Sequence, residues 1–250
     1  MSGRLDVVGL GPGREGLVTP EASAVLAAAD ALYGYGPYLD RVPPREGQAR
    51  HPSDNRVELD RARAALVAAG AARVAMVSGG DPGVFAMAAA VCEAVEQGPA
   101  AWRAIEIVIH PGITAMLALA ARVGAPLGHD FCAISLSDNL KPWPLVERRL
   151  AAAAQVGFAM ALYNPISRAR PWQLGAGLDV LRAHLPGETP VIFGRAVARE
   201  DEEIRVTTLA EADPAGADMA TCILIGTAET RVIPRPGLPP LVYTPRRAPA

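Results

Sequence analysis

Short apolar runs alternate along the chain with longer amphipathic stretches, and this pattern predicts strands followed by helices. Residues 5–10 read as a first strand. The segment TPEASAVLAAADAL then opens a helix, with Thr19 at the N-cap, Pro20 at the first helical position and Glu21 in the first turn. Residues 31–35 predict a second strand, and 58–69 a helix after the turn-rich HPSDN. RVAMVSGGDPGVF reads as a strand, a glycine turn and the entry to a helix that runs to about Glu96. Residues 105–109 predict another strand, and HPGITAMLALAARVG a turn and a helix ending at Gly124. Strands alternating with helices predict parallel pairing through right-handed crossovers.

GAPLGHD, residues 124–130, breaks the alternation and marks a domain boundary. Beyond it the pattern predicts strands at 131–136, 157–163 and 190–196, with helices at 144–154 and 171–184. Two further strands, 203–209 and 220–225, lie close together in sequence and are expected to pair antiparallel. The expected fold class is α/β in two domains, 1–124 with a mainly parallel sheet and 125–235 with a mixed one. Residues 234–250 carry six prolines and read as an extended stretch, with 236–250 set apart as a tail.

Composition narrows the function classes. A chain of 250 residues accommodates one large domain or two small ones. Half of it is apolar, yet no run approaches the length of a membrane span. The N-terminus lacks the charged and apolar regions of a signal peptide. Cys92, Cys132 and Cys222 lie far apart among apolar neighbours and read as buried thiols in a reducing, cytoplasmic compartment. His51, His110, His129 and His184 show no ligand spacing, so no bound metal is expected. A net charge of −2 and the absence of a basic run argue against a nucleic-acid partner. Lys141 is the only lysine among 24 Lys and Arg residues, a bias read as codon usage.

VVGLGPGREG places Gly11, Gly13 and Gly16 in the G-x-G-x-x-G spacing of dinucleotide sites. Three features oppose that reading. The helix signal comes after Gly16, at Thr19 and Pro20, whereas the fingerprint packs its third glycine at the helix start. Pro12 removes an amide donor. The acidic residue that should end the second strand is missing from YGYGPY, and Asp40 follows Pro37 on a loop or short helix. A glycine turn over a strand end still lets a ligand approach the backbone closely. SGGDP (78–82) and HPGITA (110–115) offer two more such turns. They read either as ordinary strand-to-helix turns or, with the first, as a ligand crevice at the carboxyl ends of one sheet. None carries GKS or GKT, which disfavours a nucleoside triphosphate.

In this order, VVGLGPG, SGGDPGVF, HPGITA and ALYNP resemble the tetrapyrrole methylases, the class III S-adenosyl-L-methionine-dependent methyltransferases, over roughly residues 4–233. YGYGPYLDR, HDFCAISLSDNLKPW and ALYNPISRARPWQ are similar to the cobalamin-pathway members that methylate precorrin-3B at C-17 and contract its ring. The resemblance implies two α/β domains with the methyl donor between them, and a homodimer. It implies donor contacts at Pro12, Gly79, Gly80, Asp81, Val84, Phe85, Thr114 and Ala115. From the second domain it implies Tyr163 and Gly194 along the adenosine and the strand around Cys222 beside the adenine. Gly11 and Gly13 would floor the tetrapyrrole cleft.

Relatives often carry an aspartate where this chain has Arg14, so a base is unavailable there. Arg14 reads as a partner for a substrate carboxylate or as a solvated loop residue. Methyl transfer is an in-line displacement in which positioning supplies up to roughly 7–11 kcal/mol. Ring contraction also needs a group that moves protons. SLSDNLKPW supplies Ser137, Asp138, Asn139 and Lys141 within a few residues. These read as a polar rim over the macrocycle, with Asp138 moving a proton and Lys141 facing an oxygen or carboxylate, or as turn and helix caps. Tyr33, Tyr35 and Tyr38 stack on the macrocycle or simply fill an aromatic strand. Arg56 is a candidate carboxylate partner, Arg168 and Arg195 face the cleft or are surface arginines, and His110 is a catalytic or a structural histidine. The alternatives kept open are a methylase of the same fold with another substrate, a tetrapyrrole carrier without catalysis, and a nicotinamide oxidoreductase.

Overall fold

A computed structural model describes residues 3–54, 57–167 and 169–247. The chain divides into two units, the first ending at Thr114 and the second beginning at Ala115. No helix among the described residues is long and apolar enough to cross a membrane.

Period-two burial in the strands builds the layers of the first unit. Its strands are β1 (Arg4–Gly9), β2 (Ala31–Tyr35), β3 (Ala49–Ser53), β4 (Arg73–Ser78) and β5 (Glu106–His110). They pair in parallel, in the order β3-β2-β4-β1-β5. Leu5 and Val7 of β1 and Val74 and Met76 of β4 point to one face. There they pack on Leu66 of α3 (Glu58–Ala69) and Val91 of α4 (Met87–Gln97). The alternate residues Val8, Ala75 and Val77 meet Val25 and Leu26 of α1 (Pro20–Ala28) on the other face. Thr19 caps α1 as expected, its hydroxyl accepting from the Ala22 N–H at 3.1 Å, a contact worth about 1 kcal/mol. A single helical turn, α2 (Gly36–Leu39), follows β2 directly.

In the second unit, α5 (Ala115–Val123) is followed by β6 (Gly124–Ala125), β7 (Phe131–Ser135), α6 (Trp143–Gln155), β8 (Ala159–Tyr163) and α7 (Gln173–Arg182). Then come β9 (Pro190–Arg195), β10 (Glu203–Thr208), β11 (Thr221–Ile225), β12 (Arg231–Arg235) and β13 (Leu238–Tyr243). The main sheet runs β10-β9-β11-β8-β7, with β7 and β8 parallel and the other pairs antiparallel. One face buries Leu136, Leu162, Phe193 and Ile223 under α6 and α7.

The structure corrects the sequence reading at four places. Residues 203–209 and 220–225 do not pair with each other; β10 and β11 flank β9 on its two sides. The expected extended tail contains β12 and β13, which form an antiparallel hairpin, and β13 also pairs with β6. Pro239 and Pro240 are tolerated in β13 because β6 reaches only Val242 and Tyr243. The strand β3 went unpredicted: its sequence ARHPS lacks an apolar alternation, and Pro52 is accommodated because β3 is an edge strand. Cys92, read as a buried thiol, is exposed, and Cys132 is half-buried. The two units themselves divide after Thr114. The helix α5 packs within the second unit, with Leu119 so close to Gly194 that a Cβ there would stand 2.4 Å from Leu119 Cδ1.

Candidate functional site

In the sheet order, β4, β1 and β5 are neighbours, so the turns that leave their carboxyl ends lie side by side. Backbone hydrogen bonds knit the first two. The Leu10 N–H donates to Ser78 O at 2.9 Å, and Gly11 and Gly80 exchange N–H···O bonds at 3.1 and 3.0 Å. Asp81 ties in the third, accepting from Gly83 N–H at 2.8 Å and from Gly112 N–H at 3.0 Å. Glycine is required where backbone meets backbone: a Cβ on Gly112 would lie 2.3 Å from Gly80 O, and one on Gly9 2.8 Å from Gly112 N. Gly11 and Gly80 adopt φ of 64° and 66°. By contrast, a Cβ on Gly16 would meet nothing within 4 Å. The dinucleotide fingerprint packs its third glycine tightly, so the G-x-G-x-x-G match is a decoy here.

One residue that the sequence reading passed over organises this corner. The Arg41 Nη2 donates to the carbonyls of Leu10, Gly11 and Gly13 at 2.6, 3.0 and 3.0 Å. The planar guanidinium thus holds the outward carbonyls of the first turn, which a lysine point charge would do less selectively. Its only sequence signal was its place at the end of YGYGPYLDR. Arg41→Met is expected to remove this donor from the Leu10 and Gly13 carbonyls, while Gly11 O keeps the Gly80 N–H, and to cost about 1–3 kcal/mol. Urea unfolding would check this, and a midpoint equal to wild type would refute it.

Tyr38 covers the second turn, its ring so close that a Cβ on Gly79 would be 2.6 Å from Cζ. Tyr35 meets Tyr38 edge-on at 5.4 Å, and Tyr33 stacks on His51 at 4.3 Å. Tyr33 is therefore engaged within the protein, while Tyr35 is partly exposed. Past the turn, Val84 is half-buried and Phe85 keeps an exposed ring at φ 52°, a strained conformation for an aromatic residue. Pro12 and Thr114 are buried, whereas the Arg14 side chain is exposed. His110 is structural: its Nε2 meets Asp6 Oδ1 and its Nδ1 meets Glu21 Oε1, each at 2.9 Å. Burial of Asp6 opposes ionisation, but hydrogen bonds from Arg4 and His110 outweigh it and hold the carboxyl below its ordinary value.

In the second unit, Tyr163 ends β8 and its hydroxyl accepts from the Met116 N–H at 2.9 Å, satisfying an open amide in the first turn of α5. Ala115 is the first residue of that helix. Cys222 pairs in register with Gly194, and burial pushes its thiol up to about 12. The loops after the parallel strands β7 and β8 bring SLSDNLKPW and NPISRARPWQ together. Asn164 donates to Ser135 Oγ at 2.9 Å, and the Ser137 Oγ accepts from Asn139 N–H at 3.4 Å. Asp138 Oδ1 lies 3.1 Å from Arg170 Nε and accepts from Gln173 Nε2 at 3.1 Å. The Lys141 ammonium is pushed below its ordinary value by burial first and by Arg149 next, with Asp138 acting the other way. Trp143 and Trp172 meet edge-to-face at 4.8 Å. Arg195 is taken up by Asp218 at 2.9 Å and Asp201 at 3.1 Å, so no substrate role is needed to account for it. Arg56 and Arg168 lie outside the described residues.

Residues 4–213 match the family of Tetrapyrrole (Corrin/Porphyrin) Methylases. A precorrin-3B C(17)-methyltransferase from Sinorhizobium sp is 64% identical over 98% of this chain and 97% of its own length. The chain is 48% identical to the cobalamin biosynthesis protein CobIJ of Mycobacterium tuberculosis (strain ATCC 25618 / H37Rv) and spans 49% of that longer protein. The crystal structure of the methyltransferase CobJ superposes with a TM-score of 0.92 at 54% identity, covering 98% of this chain and all of that one. A uroporphyrin-III C-methyltransferase from Thermus thermophilus, complexed with S-adenyl homocysteine, shares the fold at TM-score 0.69 and 20% identity, covering 90% and 97% of the two chains.

Proposed function

The chain belongs to the tetrapyrrole (corrin/porphyrin) methylases, and from that premise we propose that it transfers a methyl group from S-adenosyl-L-methionine to C-17 of precorrin-3B, with ring contraction to precorrin-4 in cobalamin biosynthesis. The observation that carries this reading is the 64% identity to a precorrin-3B C(17)-methyltransferase along nearly the whole of both chains. The residues present suit the methyl donor. A Cβ on Gly80 would make ordinary van der Waals contact with Thr114 Cα at 3.7 Å, so the HPGITA turn stands directly over this one. The turn carries one carboxylate, Asp81, whose charge suits a sulfonium cation with an ammonium group. Bound S-adenosyl-L-methionine supplies an electrophilic methyl whose leaving group departs neutral.

The protein's part is positioning and proton transfer. In the first unit, Pro12, Gly79, Gly80, Asp81, Val84, Phe85 and Thr114 are the proposed donor contacts; in the second, Ala115, Tyr163, Gly194 and Cys222. Gly11, Gly13, Arg14, Tyr35, Arg56, Asn139 and Arg168 are the proposed substrate contacts. Asp138 accepts from Gln173 and faces Arg170 through Oδ1, and among the described residues its Oδ2 accepts no hydrogen bond. That oxygen is the proposed proton acceptor. Lys141, whose lowered pKa eases proton donation, is the proposed donor, and Ser137 orders the loop that carries both.

A cytoplasmic homodimer completes the reading. The hairpin of β12 and β13 exposes Val232, Ile233, Leu238 and Leu241, which supports association. The test is direct: purified protein with precorrin-3B and the methyl donor is expected to give a product one methyl group heavier, with the changed absorption of a contracted ring. Unchanged mass and spectrum would refute the reading.

A further inference from the structure

We propose that Arg170 is a specificity-determining residue that binds a carboxylate of the tetrapyrrole, with Asp138 and Gln173 as its positioning residues; this rests on the methylase reading above. A guanidinium has two ends for hydrogen bonding. In Arg170 the inner end, Nε, lies 3.1 Å from Asp138 Oδ1. The two terminal nitrogens, Nη1 and Nη2, donate no hydrogen bond among the described residues, and the nearest approach to Asp138 is through Nε. The fork that suits bidentate carboxylate binding is therefore both anchored and open.

The surroundings favour an anion. Lys141 and Arg170 supply two cationic groups near the single carboxylate of Asp138. Lys141 likewise makes no hydrogen bond or ion pair among the described residues. Gln173 is 3% exposed; it donates to Asp138, and its Oε1 is buried without a partner among the described residues. A buried acceptor left unpaired costs about 1–3 kcal/mol and calls for an explanation. Holding Asp138, and through it Arg170, provides one. Beside this fork, Trp172 is 45% exposed and Leu140 is 94% exposed, so apolar surface flanks the cationic groups. A flat macrocycle edged with acetate and propionate groups matches that combination. The site also stands at the carboxyl ends of two adjacent parallel strands, β7 and β8.

The full chain, its Arg170→Met and Arg170→Lys variants, and Asp138→Asn would be titrated with uroporphyrin III and with its methyl ester, following quenching of tryptophan fluorescence. S-adenosylhomocysteine affinity, by calorimetry, reports on folding. The expected result is a loss of uroporphyrin affinity of about tenfold or more in Arg170→Met, incomplete rescue by Arg170→Lys, and weak, equal binding of the ester to every variant. With precorrin-3B, KM is expected to rise by a similar factor in Arg170→Met. Wild-type uroporphyrin affinity in Arg170→Met would overturn the proposal, as would full rescue by lysine. Failure of both Arg170 variants to bind S-adenosylhomocysteine would overturn it too, because the residue would then be part of the framework. If wild-type protein leaves precorrin-3B unmethylated, the methylase reading fails, while the porphyrin titrations still decide the role of Arg170.

Discussion

Gly112→Ala is expected to collapse the three-turn corner of the first unit, lowering stability by about 3 kcal/mol and removing measurable S-adenosylhomocysteine binding. The added Cβ would stand 2.3 Å from Gly80 O and 3.0 Å from Gly9 Cα. Both are backbone atoms: Gly9 ends β1, which is paired in parallel with β4, and Gly80 exchanges backbone hydrogen bonds with Gly11, so neither can give way as a flexible side-chain end would. Gly16→Ala is the matched control. Nothing lies within 4 Å of that Cβ, and stability is expected to change by no more than about 1 kcal/mol. Urea unfolding and calorimetric titration of both variants check the pair. A wild-type midpoint and affinity for Gly112→Ala would mean that the turns can separate, and the backbone-contact explanation would fail.

The second large effect is expected at Asp6. Its carboxylate is fully buried and receives Arg4 Nη2 at 2.8 Å and His110 Nε2 at 2.9 Å. Asp6→Asn keeps the volume, removes the charge and leaves Arg4 and His110 facing a neutral amide. Breaking one side of a buried charge pair costs about 3 kcal/mol. The pH dependence has a definite sign. The fold holds the Asp6 carboxyl below its ordinary value of 3.8, so the ionised form is favoured by folding. Its contribution is complete above about pH 4 and is lost as pH falls through the lower, folded value. Wild-type stability is therefore expected to decline more steeply than that of Asp6→Asn below about pH 4. Parallel acid limbs in denaturant titrations of the two proteins would show that Asp6 is not the group responsible.

Local signals were legible wherever one residue type does one local job. Thr19, Pro20 and Glu21 announced α1, and the structure puts the cap where the sequence put it. The ranges of β2 and α3 follow directly from their apolar periodicity. The glycine turns were legible as turns, but their purpose was not. SGGDP and HPGITA look alike in sequence, and only the strand order shows that Gly9, Gly80 and Gly112 need glycine because they touch one another. The arginine excess, read as codon bias, also has structural uses. Arg41, Arg45, Arg50 and Arg182 each donate to backbone carbonyls outside the helix and strand ladders. Arg41 and Arg170 stood inside stretches that were singled out for other residues. Their roles depend on acceptors 28–32 positions away, and no spacing rule reaches that far.

By itself the sequence determined the main helices and the buried strands between them, the absence of a tight dinucleotide turn and, through its ordered motifs, the family. Those features reside in contiguous segments, where dihedral preference, capping and period-two or period-3.6 burial act within one turn or one strand. Tertiary structure alone decided that β10 and β11 flank β9 and that the proline-rich end forms a hairpin. It also decided that Asp138 faces Arg170 and Gln173. Each of these depends on contacts between residues distant in sequence, whose cost in chain entropy is repaid only when the whole sheet assembles.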